Sequence, residues 1–267
     1  MRNLKQRYGN WALVTGGTSG IGGALATELA REGLNLVLVA RNQKQLANMA
    51  QQLNTQFNVE ILPVAADLST AQGLQSVLEA THGLEIGMVV PCAAIETQGY
   101  FVESNGIKEN AMVQMNVVGP MTMARHYGAS MVGRGRGAIL FVSSLSGWMP
   151  QPYMAHYGGC KSYVMGLGAG LHFEMKDKGV DVSILSPGPT DTPMAAATGI
   201  DFASMGMSVM SPQAVAICGL DALGRQLDAV PGPRNKIMAF MMSRLMSRGM
   251  AGAMFKMMMG KALHIKP

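Results

Sequence analysis

Cysteine is scarce, with Cys92, Cys160 and Cys218 odd in number and far apart in 267 residues. No Cys-x-x-Cys pair or metal-ligand cluster occurs, so neither a disulfide framework nor a metal site is expected, and a reduced, cytoplasmic setting is the simplest expectation. Acidic side chains are missing from Arg234 to Pro267, where seven Lys or Arg stand without one Asp or Glu. The preceding 233 residues hold 14 basic against 16 acidic side chains, so the net charge of +5 belongs to the tail. That distribution argues against a nucleic-acid partner along the main body. Also missing is an uncharged apolar run of the ~20 residues that a spanning helix needs. The Met-rich stretch from Ile237 to Met259 is broken by Arg244, Arg248 and Lys256. At the N-terminus, Arg2, Lys5 and Arg7 lead to strand-like residues by Trp11 without the apolar segment and cleavage site of a signal peptide.

The hydrophobic content of 48% suffices for a full core, and α/β chains of this length are often one domain. Glycine, at 33 residues, suits many tight strand-to-helix turns. Trp11 to Val14 is a short apolar run, followed by Thr15-Gly16-Gly17-Thr18-Ser19-Gly20-Ile21-Gly22 and a helical pattern through Arg31. A glycine turn between strand and helix lets the backbone approach a pyrophosphate, while the helix start offers free N–H groups; a plain turn is the alternative.

The next strand, 36–40, ends at Arg41-Asn42 with no acidic residue to hold ribose hydroxyls. An arginine there accommodates a 2′-phosphate, which favours NADPH over NADH unless Arg41 is merely solvated. Alternation continues with a helix over about 43–54, strand 59–65 closing on Asp67-Leu68, helix about 70–82, and strand 86–90. This pattern predicts right-handed βαβ units and a parallel sheet. A long helix over about 107–132 would carry Asn116, either solvent-facing or buried, where it bends the helix or holds a water. Strand 138–142 delivers Ser143-Ser144 at its carboxyl end, where open α/β sheets bind ligands, although a serine there also suits a turn or cap.

Tyr157 and Lys161 stand one helical turn apart, so a phenol and an ammonium face one small volume. A nearby cation is expected to lower the phenol's pKa toward usable general acid/base catalysis. Strand 180–185 then runs into Ser186-Pro187-Gly188-Pro189-Thr190-Asp191-Thr192-Pro193. The stretch from Met194 to Met210 reads as a mobile substrate lid or a plain surface loop. Ser211-Pro212 starts a helix expected to reach about Gln226.

The ordered set Thr15-Gly16-x-x-x-Gly20-Ile21-Gly22, Asp67, Asn116, Ser144, Tyr157-x-x-x-Lys161 and Pro187-Gly188-x-x-x-Thr192 resembles the short-chain dehydrogenase/reductase family over roughly residues 8–228. The resemblance implies a Rossmann-type, doubly wound parallel sheet of six or seven strands; length and composition make the chain a single domain, 1–233, followed by a basic Met-rich helical tail, 234–267. It also implies that Tyr157 protonates the substrate oxygen, Ser144 polarises the carbonyl, Lys161 holds the nicotinamide ribose and tunes the tyrosine, and Asn116 anchors a relay water. The cofactor would lie on Gly16, Thr18, Ser19, Gly20, Ile21 and Gly22, with Arg41 and Asn42 at its adenosine ribose. Asp67 and Leu68 would flank the adenine, with Ala93 and Ala94 following the fourth strand. Pro187, Gly188, Thr190 and Thr192 would seat the carboxamide.

One departure stands out. Where that family usually reads Asn-Asn-Ala-Gly, this chain has Pro91-Cys92-Ala93-Ala94, which loses both amides and the glycine. The preferred function is an NADPH-dependent reductase of a hydrophobic ketone, or dehydrogenase of the matching secondary alcohol, such as a 3-oxoacyl or steroid-like ketone. The chain would act as a homodimer or homotetramer. A cofactor-binding scaffold using the tail on a partner or membrane is the alternative. For the tail itself, with Arg244 and Arg248 at i,i+4 on one face, three readings stand: ordinary packing onto the domain, a dimer contact or substrate-pocket wall for a long acyl or terpenoid group, and weak, peripheral membrane-surface contact, with packing or an oligomer contact preferred to the membrane.

Overall fold

The computed structural model describes residues 2–202 and 206–265. In chain order the first half is α1 (Leu4–Tyr8), β1 (Trp11–Thr15), α2 (Gly20–Arg31), β2 (Asn35–Ala40), α3 (Gln43–Phe57), β3 (Ile61–Ala65), α4 (Ala71–Ala80) and β4 (Ile86–Val90). There follow α5 (Gly106–Val113), a π turn (Gln114–Val118), α6 (Gly119–Arg134), β5 (Gly137–Val142), α7 (Ala155–Lys176) and β6 (Val180–Leu185). The chain continues through α8 (Pro193–Ala197), α9 (Pro212–Ala222), β7 (Asp228–Ala229), α10 (Pro233–Phe240) and α11 (Arg248–Ala262).

The seven strands form one parallel sheet in the order β3-β2-β1-β4-β5-β6-β7. Strands of this sheet are apolar on both faces because helices cover both. Alternate residues divide between two cores. Ala12, Val14, Leu36, Leu38 and Leu140 pack with Leu25 and Leu29 of α2, Leu46 and Leu53 of α3, and Val215 and Leu220 of α9. Leu13, Val37, Val39, Val89, Ile139 and Phe141 pack on the opposite side with Leu74 and Val77 of α4, Met123, Tyr127 and Met131 of α6, and Val164 of α7. Strand order reverses between β1 and β4, which opens a crevice at the carboxyl edge.

Four local expectations change. The N-terminal residues form α1, held by buried Leu4 and Tyr8 and by 2.8 Å hydrogen bonds from Arg7 and the Tyr8 hydroxyl to Asp181. The helix expected over about 107–132 is split by the π turn at Asn116, whose side-chain amide pairs with both backbone groups of Ile95. Helix α9 stops at Ala222 rather than near Gln226, because Leu223 takes an extended ψ and Gly224 a left-handed φ of 72°. Arg244 and Arg248 do not share a helix face, since Met246 is extended and the Ser247 hydroxyl caps α11 by accepting from Met250 N at 3.2 Å.

The stretch Met194–Met210 opens inside α8, and Ala203 to Met205 lie outside the described residues. Its base is tied by Asp191 N to Met210 O at 2.9 Å and Met210 N to Pro189 O at 3.0 Å. Among the described residues no helix is long and apolar enough to cross a membrane, and no cluster of His, Cys, Asp or Glu suits a metal.

Helix α1 rests directly on β4, where a Cβ on Gly87 would stand 2.1 Å from the Tyr8 carbonyl oxygen. Gly87→Ala should therefore push α1 away and cost about 1–3 kcal/mol in urea unfolding, with faster amide exchange in α1. Unchanged unfolding would show that this close approach is not required.

Candidate active site

A cleft of about 680 Å³ runs along the carboxyl edge of the sheet. Every site residue expected from the sequence lines it except Asp67 and Asn116. The turn after β1 supplies one end. Gly16 and Gly20 adopt φ of 67° and 53°, and a Cβ on Gly22 would meet the Gly16 carbonyl oxygen at 2.3 Å, so the turn closes only around glycine. Ser19 occupies the N-cap of α2 yet makes no side-chain cap bond, which leaves the first-turn N–H groups facing the cleft for an anion.

Arg41, at the end of β2, lines the same end. Asn42 lines it too, and caps α3 by accepting from Gln45 N at 3.0 Å. Leu68 lies in the cleft, whereas the Asp67 carboxylate, expected beside the adenine, accepts from Ser69 N and Oγ at 3.0 and 2.7 Å. Those bonds, with Arg41 contributing, hold its carboxyl below the ordinary value.

The substituted segment after β4 keeps its position by a different means. Thr15 Oγ1 accepts from Cys92 N and Ala93 N, both at 2.9 Å, so backbone groups anchor the turn whatever side chains it carries. The Cys92 thiol is pushed up to about 11 by burial against an opposing effect of Lys161, and stays protonated at neutral pH.

The chemical end is built where β5 meets α7. Tyr157 and Lys161 are both buried on α7, with the ammonium 5.6 Å from the phenol ring centroid. Lys161 Nζ donates to the Val142 carbonyl at 2.9 Å, and Ser143 Oγ donates to the Lys161 carbonyl at 2.9 Å. Ser144 is both a cap and a partner of the phenol. Its Oγ accepts from Ser146 N at 3.1 Å, and its hydroxyl lies close enough to the phenol to favour the ionised form of Tyr157.

The expected lowering of the phenol does not hold in this structure. Burial, with the Glu96 carboxylate adding, pushes Tyr157 above its ordinary value and outweighs the Ser144 hydroxyl. Burial likewise lowers the Lys161 ammonium. Thr192 lines the cleft and caps α8 by accepting from Ala195 N at 3.1 Å, which leaves its own proton to donate. Thr190 Oγ1 donates to the Gly188 carbonyl at 3.0 Å.

Several cleft residues had escaped the sequence reading. Glu96 faces Tyr157 and Lys161, and burial raises its carboxyl above the ordinary range. Gln151 is buried, with an amide oxygen that has no hydrogen-bond partner among the described residues. Asn235, on α10, packs where a Gly188 Cβ would sit, 2.8 Å from its amide nitrogen. The remaining wall is apolar, with Met154 and Leu145 joined by Met238 and Met242 from the tail and Met254, Phe255, Met258 and Met259 of α11. Its place between Ser144 and Tyr157 could have pointed to Gln151, and its place two residues past Ala94 to Glu96; the tail carries no motif, although a pocket wall is among its open readings.

Residues 10–201 match the family model described as short chain dehydrogenase, and the chain belongs to the short-chain dehydrogenase/reductase family of oxidoreductases. It is 31% identical over 234 residues to a 7beta-hydroxysteroid dehydrogenase of Clostridium sardiniense, covering 88% of this chain and 90% of that one. A very-long-chain 3-oxoacyl-CoA reductase of Mus musculus is 37% identical over 187 residues, covering 68% of this chain but 59% of that protein. A solved structure described as giving insight into 7beta-hydroxysteroid dehydrogenase stereoselectivity superposes with a TM-score of 0.89 at 28% identity, covering 95% of this chain and 99% of that one. A short-chain dehydrogenase from Sphingobium yanoikuyae in complex with NADPH superposes with a TM-score of 0.77 at 26% identity, covering 96% of each chain.

Behind Tyr157, the His156 ring is hydrogen-bonded to buried Glu109, which joins α7 to α5. Burial alone would raise the Glu109 carboxyl, but the His156 hydrogen bond, with the neighbouring Thr97 and Ser104 hydroxyls adding, outweighs it and holds the carboxyl below its ordinary value. A depressed carboxyl stabilises the fold above its unfolded value of about 4.3 and loses that contribution as pH falls through the folded value. Glu109→Gln should therefore lower stability at neutral pH by about 1–3 kcal/mol, with the gap to wild type narrowing as pH drops below ~4. Unfolding curves of the two proteins that stay equally separated across that range would contradict this.

Proposed function

We propose that this chain is an NADPH-dependent reductase of hydrophobic ketones, of steroid-like or 3-oxoacyl type, reversible with the secondary alcohol. The observation that carries the proposal is the convergence of Ser144, Tyr157 and Lys161 in a cleft whose far wall is made of methionine and phenylalanine. The glycine turn, the uncapped start of α2 and the sheet-edge cleft fit a dinucleotide. When bound, the nicotinamide supplies or takes up the hydride.

Tyr157 donates its proton to the substrate oxygen, and Ser144 hydrogen-bonds the same oxygen as negative charge develops on it. Lys161, fixed by the Val142 carbonyl, offers its remaining donors to the nicotinamide ribose. Asn116 holds Ile95, and thereby the segment beside the chemistry, and would anchor a relay water. The apolar wall excludes water from the reacting centre. The stretch from Met194 to Met210, whose described residues are tied at the base and line the cleft through Met194, Phe202 and Met207, acts as the substrate lid. Arg41, at the end of β2, where that strand carries no acidic residue to hold ribose hydroxyls, supports the 2′-phosphate and hence NADPH. Resemblance to a 7beta-hydroxysteroid dehydrogenase and to a 3-oxoacyl-CoA reductase supports a bulky or long apolar ketone.

A phenol raised by burial is protonated at neutral pH and so stands ready for reduction. Reductive kcat/KM should stay flat through neutral pH, whereas alcohol oxidation should climb across the alkaline range, because it needs the phenolate. An oxidative profile already level at pH ~7 would contradict the direction found for Tyr157. Tyr157→Phe should lower turnover by ~10²–10⁴-fold with NADPH affinity nearly unchanged. The assay follows NADPH oxidation with a panel of cyclic ketones and long-chain 3-oxo thioesters, and tight NADPH binding without turnover of any of them would favour a scaffold. Arg41→Asp should shift preference toward NADH by more than ~10-fold in the ratio of kcat/KM values. Equal NADH and NADPH affinity in the wild type would refute the cofactor assignment.

A further inference from the structure

We infer that the exposed faces of α10 and α11 dock on an anionic lipid bilayer, with the mouth of the cleft beside the membrane surface. Each of these helices has two apolar faces. The inner face is occupied, because Ala239, Ala251, Phe255 and Met259 are buried and Met238, Met242 and Met258 line the cleft. The outer face is unpartnered among the described residues. On α10 and the π turn that follows it, Ile237, Phe240, Met241 and Leu245 recur at helical spacing, with Phe240 59% and Leu245 68% exposed. On α11, Met250, Met254 and Met257 form a row that ends in Lys261, with Met250 and Met257 each 61% exposed. Met254 belongs to both faces, being 38% exposed and also a lining residue of the cleft. The outer surface therefore runs continuously into the cleft's rim.

Charge selects the occupant. Arg234, Lys236, Arg244, Arg248, Lys256 and Lys261 are all exposed, and the segment contains no acidic residue. A second copy related by a two-fold axis would press this patch against itself, cation facing cation with nothing to neutralise them. A nucleic acid would satisfy the cations but leave the rows of methionine, leucine and phenylalanine unburied. An anionic bilayer accommodates both, with headgroups meeting the Arg and Lys side chains and the interface taking up the apolar rows. Because no described helix is long and apolar enough to span, the contact is peripheral. This inference goes beyond the ketone assignment and does not depend on it, since docking needs neither substrate nor cofactor.

The test is sedimentation of the full chain with vesicles of phosphatidylcholine alone or with about one-third phosphatidylserine. Binding is expected to the anionic vesicles and to weaken at least ~10-fold when salt rises from about 0.1 to 0.5 M. Arg244→Glu with Arg248→Glu should reduce it by at least ~100-fold. Phe240→Ser with Leu245→Ser should reduce it by at least ~10-fold. None of these four side chains lines the cleft, so thermal unfolding midpoints should match wild type and show that the variants are folded. The inference is overturned if the protein fails to pellet with anionic vesicles, pellets equally with both kinds, or pellets undiminished in both double variants. A dimer in light scattering that Phe240→Ser with Leu245→Ser dissolves, without vesicle binding, overturns it in favour of a second copy.

Discussion

The structure turns on a buried ammonium. Lys161 sits in a site that disfavours its charge, and the one fixed bond described for it is to the Val142 carbonyl at 2.9 Å. That carbonyl is the last of β5, so the lysine can be satisfied only if α7 lies against the end of this strand. Ser143 enforces the same docking from the other side, donating to the Lys161 backbone. Once α7 is so placed, Tyr157, one turn earlier, and Ser144, one residue past Ser143, are brought within hydrogen-bonding reach of each other. Strand β5 and helix α7 thus fix the chemical groups relative to the sheet.

The substitution at Pro91 to Ala94 shows which part of a conserved-looking geometry belongs to backbone and which to side chain. Thr15, the last residue of β1, accepts from two successive amides of this segment, and those bonds survive any side-chain change at Cys92 and Ala93 except to proline. Pro91 sits just past the end of β4, where a missing N–H costs no ladder bond. Gly16 also explains why the segment must stay narrow, because a Cβ there would meet Ala93 Cα at 3.1 Å. The two turns constrain each other.

The parallel sheet was legible because strands buried on both faces are written as near-continuous apolar runs separated by glycine turns, and the site because its residues keep fixed distances from those runs. What escaped had no periodic or local signal. Helix α1 is five residues long and owes its place to Asp181, 173 positions beyond Tyr8. The π turn at Asn116 depends on the side chain pairing with Ile95 on a different segment, and β7 has only two residues. The break after Leu245 follows from Ser247 preferring to cap a new helix, a local choice masked by methionines on either side. Tyr157 was read from its cationic neighbour alone, but the sign of its shift depends on burial and on Glu96, which sequence spacing does not reveal.

The least typical segment has the largest say in what the cleft admits. Its first turn is anchored under the loop after β6, with Asn235 donating to the Pro231 carbonyl at 2.9 Å and filling the space above Gly188. Its last helix ends beside Tyr157, where Phe255 and Met259 join Met112, Met154 and Cys160 in one buried cluster. Methionine's flexible, polarizable side chain fills irregular shapes without dictating one, so such a wall selects for apolar bulk rather than for a particular outline. Finer discrimination then falls to the few polar groups set into it. Gln151 is the clearest of these, since a buried acceptor without a partner costs about 1–3 kcal/mol and a ligand bringing a donor to it recovers that amount. Under the proposed activity, an apolar ketone with one correctly placed hydroxyl would thereby be favoured over the same skeleton without it.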